Sequence, residues 1–342
     1  MFIFLLIIFQ SLLINWLFKK INIPGFIGVI FIGIIYSSYL TNNDSFSILN
    51  FSGYICGLAL VIIFARASLQ IQLSLLSKSN IKIYLLAIIP GLLEATSIAF
   101  LSHWITPLSL LESFMLGFIM TAVSPAVIVP MMIDLQQRKI GTDKKIPSII
   151  LAVSSLDDII SILIFSGLLF FYQASYIHSY SVVENALFLL LIFISFRFFK
   201  KFKSSLIEKF SNILSKIWSI VALILFIFIG SQIDINIIIL AGKIGLLIIF
   251  FGLLVRSLSV FLCLINSSFF LREKFFIMFS LWPKATVQAT LGAIPLLIMK
   301  NLDMDTTSGY WILSLSVLSI LITAPIGAFM ISWSSKRFLN QN

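Results

Sequence analysis

Eleven apolar stretches, each roughly 20 residues long and separated by short polar breaks, make up most of this chain. They run over 2–18, 25–40, 50–74, 82–104, 110–134, 146–171, 183–199, 213–230, 236–265, 275–298 and 309–333. A helix needs about that length to cross a hydrocarbon layer of about 30 Å. No water inside the layer can satisfy a free backbone group, so only helices and closed barrels cross it. Strand-like alternation is absent, which excludes a barrel. The expected fold is therefore an all-α polytopic membrane protein with about eleven transmembrane helices. No basic residue precedes the first stretch and no small-residue cleavage site follows it, so it reads as a retained helix. Cys56 and Cys263 lie inside apolar runs and are expected as reduced thiols.

The formal charge of +10 points to topology rather than to nucleic acid, because the charges occupy the breaks. Alternate connections carry eighteen Lys and Arg on one side, among them Lys19, Lys78, Arg138, Lys144, Lys203, Arg272 and Lys336. The other side carries Lys300 alone. Positive charge marks the cytoplasmic face, which gives an outside N-terminus and a cytoplasmic C-terminus.

Of the basic residues, Arg66, Lys243, Arg256 and Lys284 remain within the stretches, and among the acids Glu94, Asp157 and Asp158 lie near the middle of theirs. A charge at mid-bilayer costs several kcal/mol and faces a polar cavity or a partner. Arg66 and Lys243 read as structural or snorkelling side chains. The adjacent pair Asp157–Asp158 is harder to explain as structure. Two close carboxylates resist ionising together, and a site that holds either a cation or a proton needs such groups. Two further stretches carry proline at mid-depth, at Thr121–Pro130 and Trp282–Ala289, and should kink or break there. Segments 4, 5 and 6 thus read as Glu94, a break, then two aspartates. Segments 9 and 10 read as Arg256, then a break beside Lys284. The two triplets cross in opposite senses, the arrangement of inverted-repeat transporters with a site where half-helices meet.

The stretches FIMTAVSPAVIVPMMIDL and KKIPSIILAVSSLDDIISI, with LREKFFIMFSLWPKATVQATLGAIPL and LSILITAPIGAFMI nearer the C-terminus, resemble the monovalent cation:proton antiporter-2 family. The likeness is closest to its NHA-type sodium/proton exchangers. The resemblance implies one integral exchanger-type domain over 1–342. An ion-transporting core would occupy 82–171 and 236–333. A shortened scaffold and dimerisation part would occupy 1–74 and 183–230. It implies a homodimer in the bacterial inner membrane, working on monovalent cations and protons amid membrane lipid, with no cofactor and no nucleic acid. Carried over residue by residue, Asp158 is the main cation and proton carboxylate with Asp157 beside it, so sodium or lithium would bind there. Ser124 and Ser154 supply auxiliary oxygens, Lys284 offsets the carbonyl ends at the helix crossing, and Glu94 pairs with Arg256. Sodium-coupled organic-anion symport, a passive channel and a reduced, non-transporting homologue stand as alternatives. No phosphate-binding glycine loop, zinc spacing or nucleophile elbow supports an enzyme.

Overall fold

In the computed structural model, residues 2–20, 24–37, 39, 54–59, 61–62, 65, 81–174, 204–233 and 235–340 are described. They form α1 (Phe2–Lys20), α2 (Phe26–Ile35), α3 (Ile81–Ile105), α4 (Leu110–Thr121), α5 (Pro125–Gln137) and α6 (Ile146–Ala174). Then come α7 (Ser204–Ser231), α8 (Ile235–Cys263), α9 (Leu271–Ser280), α10 (Thr286–Gly292), α11 (Ile294–Asn301) and α12 (Thr307–Phe338). The chain is all-α, with no β-strand among the described residues. Among the described residues, six helical stretches are long and apolar enough to span a membrane, and α1 and α2 are shorter apolar helices. Most of the expected segment 50–74, including Arg66, and all of 183–199 lie outside the described residues.

Both expected interruptions are present. The fifth segment divides into α4 and α5 around Ala122–Ser124, and the tenth into α9, α10 and α11 around Leu281–Ala285. Of the two prolines in the first break, only Pro125 coincides with it. It occupies the first position of α5, where a missing N–H costs nothing, and forces Ser124 into an extended conformation. Pro130, Pro90 and Pro325 sit inside continuous helices. A proline alone therefore does not decide where this backbone opens. α7 begins at Ser204 and places Lys209 and Lys216 on a helix, where the sequence suggested a loop before residue 213. Its apolar window begins at Ile213, so the polar first turns extend the helix beyond the apolar part.

The helices separate into two groups. α2 packs on α7 and on α1, and this group meets the rest through α7 and α10. In the core, α3 packs against α4 and α8, α6 against α3, α4 and α5, and α12 against α8, α9 and α10. The first helices of the two triplets, α3 and α8, therefore lie side by side. Connections rich in basic residues gather at one end. There Lys144 Nζ reaches Glu273 Oε2 at 2.7 Å and Gly141 N donates to Asn340 O at 3.0 Å. At the opposite end Lys300 Nζ donates to Gln232 Oε1 at 2.9 Å, joining α11 to α7. Between the groups lies a cavity of about 1210 Å³. Asp134, Arg138 and Lys336 line it at the basic end, and Ala126, Val127 and Thr286 line it beside the two breaks.

The α2–α7 contact depends on Gly33 and Gly230. A methyl group on Gly33 would collide with the backbone of Ile227 and Gly230, and one on Gly230 with that of Ile30 and Gly33. Overpacking of this kind typically costs about 1–3 kcal/mol. Gly33→Ala and Gly230→Ala should each lower the melting temperature of the purified protein by several degrees. The double variant should lose little more than the worse single one, since one separation of the helices relieves both clashes. Unchanged melting in either single variant would show that these helices are not in backbone contact.

Candidate ion site at the crossed helix breaks

A helix that stops at mid-depth leaves its last carbonyls without intrahelical partners and carries about half a negative charge there. In α4 these groups belong to Ile119, Thr121 and Ala122, and the second triplet supplies every donor to them. Gln288 Nε2 donates to Ile119 O at 2.9 Å and to Ala122 O at 2.6 Å. Arg256 Nη1 donates to Thr121 O at 2.9 Å, and Lys284 Nζ to the same oxygen at 2.5 Å. The two breaks touch directly, because Ser124 N donates to Pro283 O at 2.8 Å.

Five buried charges surround this crossing. Glu94, Asp157, Asp158, Arg256 and Lys284 are each at most 2% exposed. Arg256 Nη1 pairs with Glu94 Oε2, and its Nη2 lies 2.9 Å from Asp157 Oδ2. Lys284 Nζ lies 3.0 Å from the same Glu94 oxygen. Thr121 Oγ1 sits 2.9 Å from Glu94 Oε2 and 3.2 Å from Arg256 Nη1, accepting from the guanidinium. Asp157 Oδ2 also accepts from Val123 N at 3.1 Å, within the first break. Gly91 allows this approach, since a side chain there would run into Asp157 Oδ1.

Asp158 stands apart. It is fully buried, and neither of its carboxylate oxygens has a hydrogen-bond partner. Ser124 Oγ is likewise buried and unpartnered. Ser154 donates its hydroxyl to Leu151 O at 3.1 Å in its own helix, which leaves the oxygen lone pairs available. With every group ionised, three carboxylates face two cationic side chains. One negative charge is left over, on the carboxylate that has no partner. A single monovalent cation or a single proton neutralises the set.

The structure brings Glu94, Arg256, Lys284 and Asp157 into one network and sets Asp158 beside it. The expected two-residue pair of Glu94 and Arg256 is thus part of a larger cluster in which each partner has a second one. Two members escaped the sequence reading, Thr121 and Gln288. Both lie inside the proline-containing stretches that drew attention, but an uncharged polar residue in an apolar run carries no cost large enough to mark it.

Removing one partner of a buried ion pair costs about 3–5 kcal/mol, because the other is left uncompensated. Arg256→Gln and Glu94→Gln should each destabilise, since Arg256 serves Glu94 and Asp157 while Glu94 serves Arg256 and Lys284. The double variant should be more stable than the summed losses predict, although not restored to wild type. Thermal melting of the purified variants reads the cycle. Strictly additive losses would contradict the direct contact.

Against known proteins, the family described as sodium/hydrogen exchanger, transmembrane, matches this chain by its sequence model over residues 5–216 and 203–336. Sodium/hydrogen exchanger 9B2 of Mus musculus is 29% identical over 384 residues, covering 94% of this chain and 69% of that protein. The Homo sapiens 9B2 protein is 28% identical, covering 93% of this chain and 70% of that protein. Among solved structures, the sodium proton antiporter MjNhaP1 from Methanocaldococcus jannaschii at pH 8 superimposes with a TM-score of 0.72. Identity there is 18% and coverage is 97% of each chain, so the shared property is the fold. The match of the family's sequence pattern across nearly the whole chain shows that this protein belongs to the transmembrane sodium/hydrogen exchanger family.

Proposed function

We propose that the chain is a secondary antiporter that exchanges a monovalent cation, sodium or lithium with potassium as a further candidate, for protons by alternating access. The observation that carries this reading is Asp158, a fully buried carboxylate with no partner in a site that is one positive charge short. A cation and a proton are interchangeable solutions to that deficit, and only one fits at a time. Ser124, Ser154 and Asp157 are the oxygens that would complete a coordination shell around a dehydrated ion. Surplus negative charge disfavours an organic anion, so symport of that kind has less support. A passive channel has no need of a proton-titrating carboxylate.

The cavity between the two helix groups supplies a route from the basic end to the first turns of α5 and α10. At the other end, the Lys300–Gln232 contact holds α11 against α7. Among the described residues this cavity opens toward the basic end, which supports reading the structure as a state open to that side. Alternating access then requires the core to move against α1, α2 and α7 until the route opens to the other side. Lys and Arg at the open end support the reading that it faces the cytoplasm across a cell membrane. We propose a homodimer built on the scaffold helices.

Asp158→Asn in liposomes should abolish the change of internal pH that follows addition of sodium or lithium, while the variant still folds. Wild-type exchange in that variant would move the ion site elsewhere. Shared-site competition also fixes the sign of the pH dependence. At low pH the site is protonated and the cation binds weakly; at high pH it is ionised and binds strongly. The apparent Michaelis constant for sodium should therefore fall as pH rises from about 6 to about 9, with a maximal rate that changes much less. A constant independent of pH in an active preparation would point to separate proton and cation sites.

A further inference from the structure

One peptide group joins the two halves of the site. The Ala122 carbonyl that accepts from Gln288 Nε2 at 2.6 Å shares its peptide plane with the Val123 N–H. That N–H donates to Asp157 Oδ2 at 3.1 Å. A planar peptide cannot turn at one end without turning at the other. The amide of Gln288 therefore sets the direction in which the Val123 donor points. In a low-dielectric interior the two bonds also polarise one another.

The second break repeats the device with the roles exchanged. Pro283 O accepts from Ser124 N at 2.8 Å. The N–H of the same peptide, that of Lys284, donates to Thr323 Oγ1 at 3.0 Å, and this hydroxyl donates on to Ser319 O at 2.7 Å. Asp157 on α6 and Thr323 on α12 thus hold corresponding places in the two triplets. The relay that ends on a carboxylate in the first triplet ends on a neutral hydroxyl in the second.

We propose that Gln288 is a positioning residue for the carboxylate pair, acting on Asp157 through the Ala122–Val123 peptide; this rests on the antiport reading. By holding the Val123 donor on Asp157, it keeps that carboxylate turned toward Arg256 and leaves Asp158 free for exchange. An uncharged amide suits the task. Its nitrogen covers two carbonyls of α4, and it adds no third cation to a site where Arg256 and Lys284 already leave room for only one positive charge. Gln288 is itself fully buried, with its own carbonyl oxygen unpartnered, so its place is not secured by any other bond from that end.

The test uses the full chain and Gln288→Met, which matches the side chain in shape and lacks the donor. Hydrogen exchange of the purified protein over residues 119–126 should lose about tenfold protection at Val123, the scale of one buried hydrogen bond. Unchanged protection would overturn the proposal, and this readout requires no transport. In liposomes the apparent sodium constant of the variant should rise about fivefold while the maximal rate stays within about twofold. An unchanged constant, or a lost rate at an unchanged constant, would also overturn it, the latter marking a general packing role. Wild-type protein without sodium-dependent proton flux would instead sink the antiport reading, and the exchange arm would still decide the role of Gln288. Should the Met variant fail to fold, Gln288→Leu removes the donor without adding a charge, and it is expected to give the same pattern.

Discussion

The constraint from which the rest of the site follows is the interruption of two helices at buried positions inside the protein. Each break strands carbonyls and N–H groups that cost free energy unless something donates or accepts. In this chain the triplets satisfy these groups partly for each other and partly for themselves, Asp157 accepting from Val123 N and Thr323 from Lys284 N. Arg256, Lys284 and Gln288 serve the carbonyl end of α4, and Pro283 accepts from the backbone of Ser124. The halves cannot separate without exposing both sets, so the crossing acts as the fixed point of the core.

That arrangement also places the charges. The cationic side chains needed at the α4 end must themselves be compensated, which Glu94 and Asp157 do. The compensation stops one step short, at Asp158. Close packing is part of the same design, for Gly91 admits Asp157 to the surface of α3 just as Gly33 and Gly230 admit α2 to α7. Structural pairing and ion exchange are thus properties of one cluster. The neutral part holds the helices, and the unneutralised part is open to a cation or a proton.

The scaffold and core meet over a cavity with polar as well as apolar lining. The cavity there carries Asn15, Asp134, Ser219 and Ser332 among its lining residues. Apolar contacts also cross this boundary, where Ile27 of α2 clusters with Val127 and Ala324. At the far end Lys300 and Gln232 add a polar link between the two groups.

Much of this was legible in the sequence because cost per residue in a membrane is high. An isolated charge at mid-depth, or a proline in an apolar run, has few explanations. Glu94, Asp157, Asp158, Arg256, Lys284 and both breaks could therefore be picked out, together with the class of fold and the alternation of basic connections. What the sequence did not contain was partnership. It suggested a pair of Glu94 and Arg256 where the structure has a cluster of four charges. It could not separate a break at Pro125 from continuity at Pro130, because the difference lies in whether the preceding N–H groups find partners across the crossing. Nor did it single out Thr121 or Gln288, whose burial costs little enough to pass for ordinary helix content. Residue type and spacing determine which groups must be neutralised in a low dielectric. Only the packing of two distant triplets decides which group neutralises which, and hence that Asp158 is the one left over.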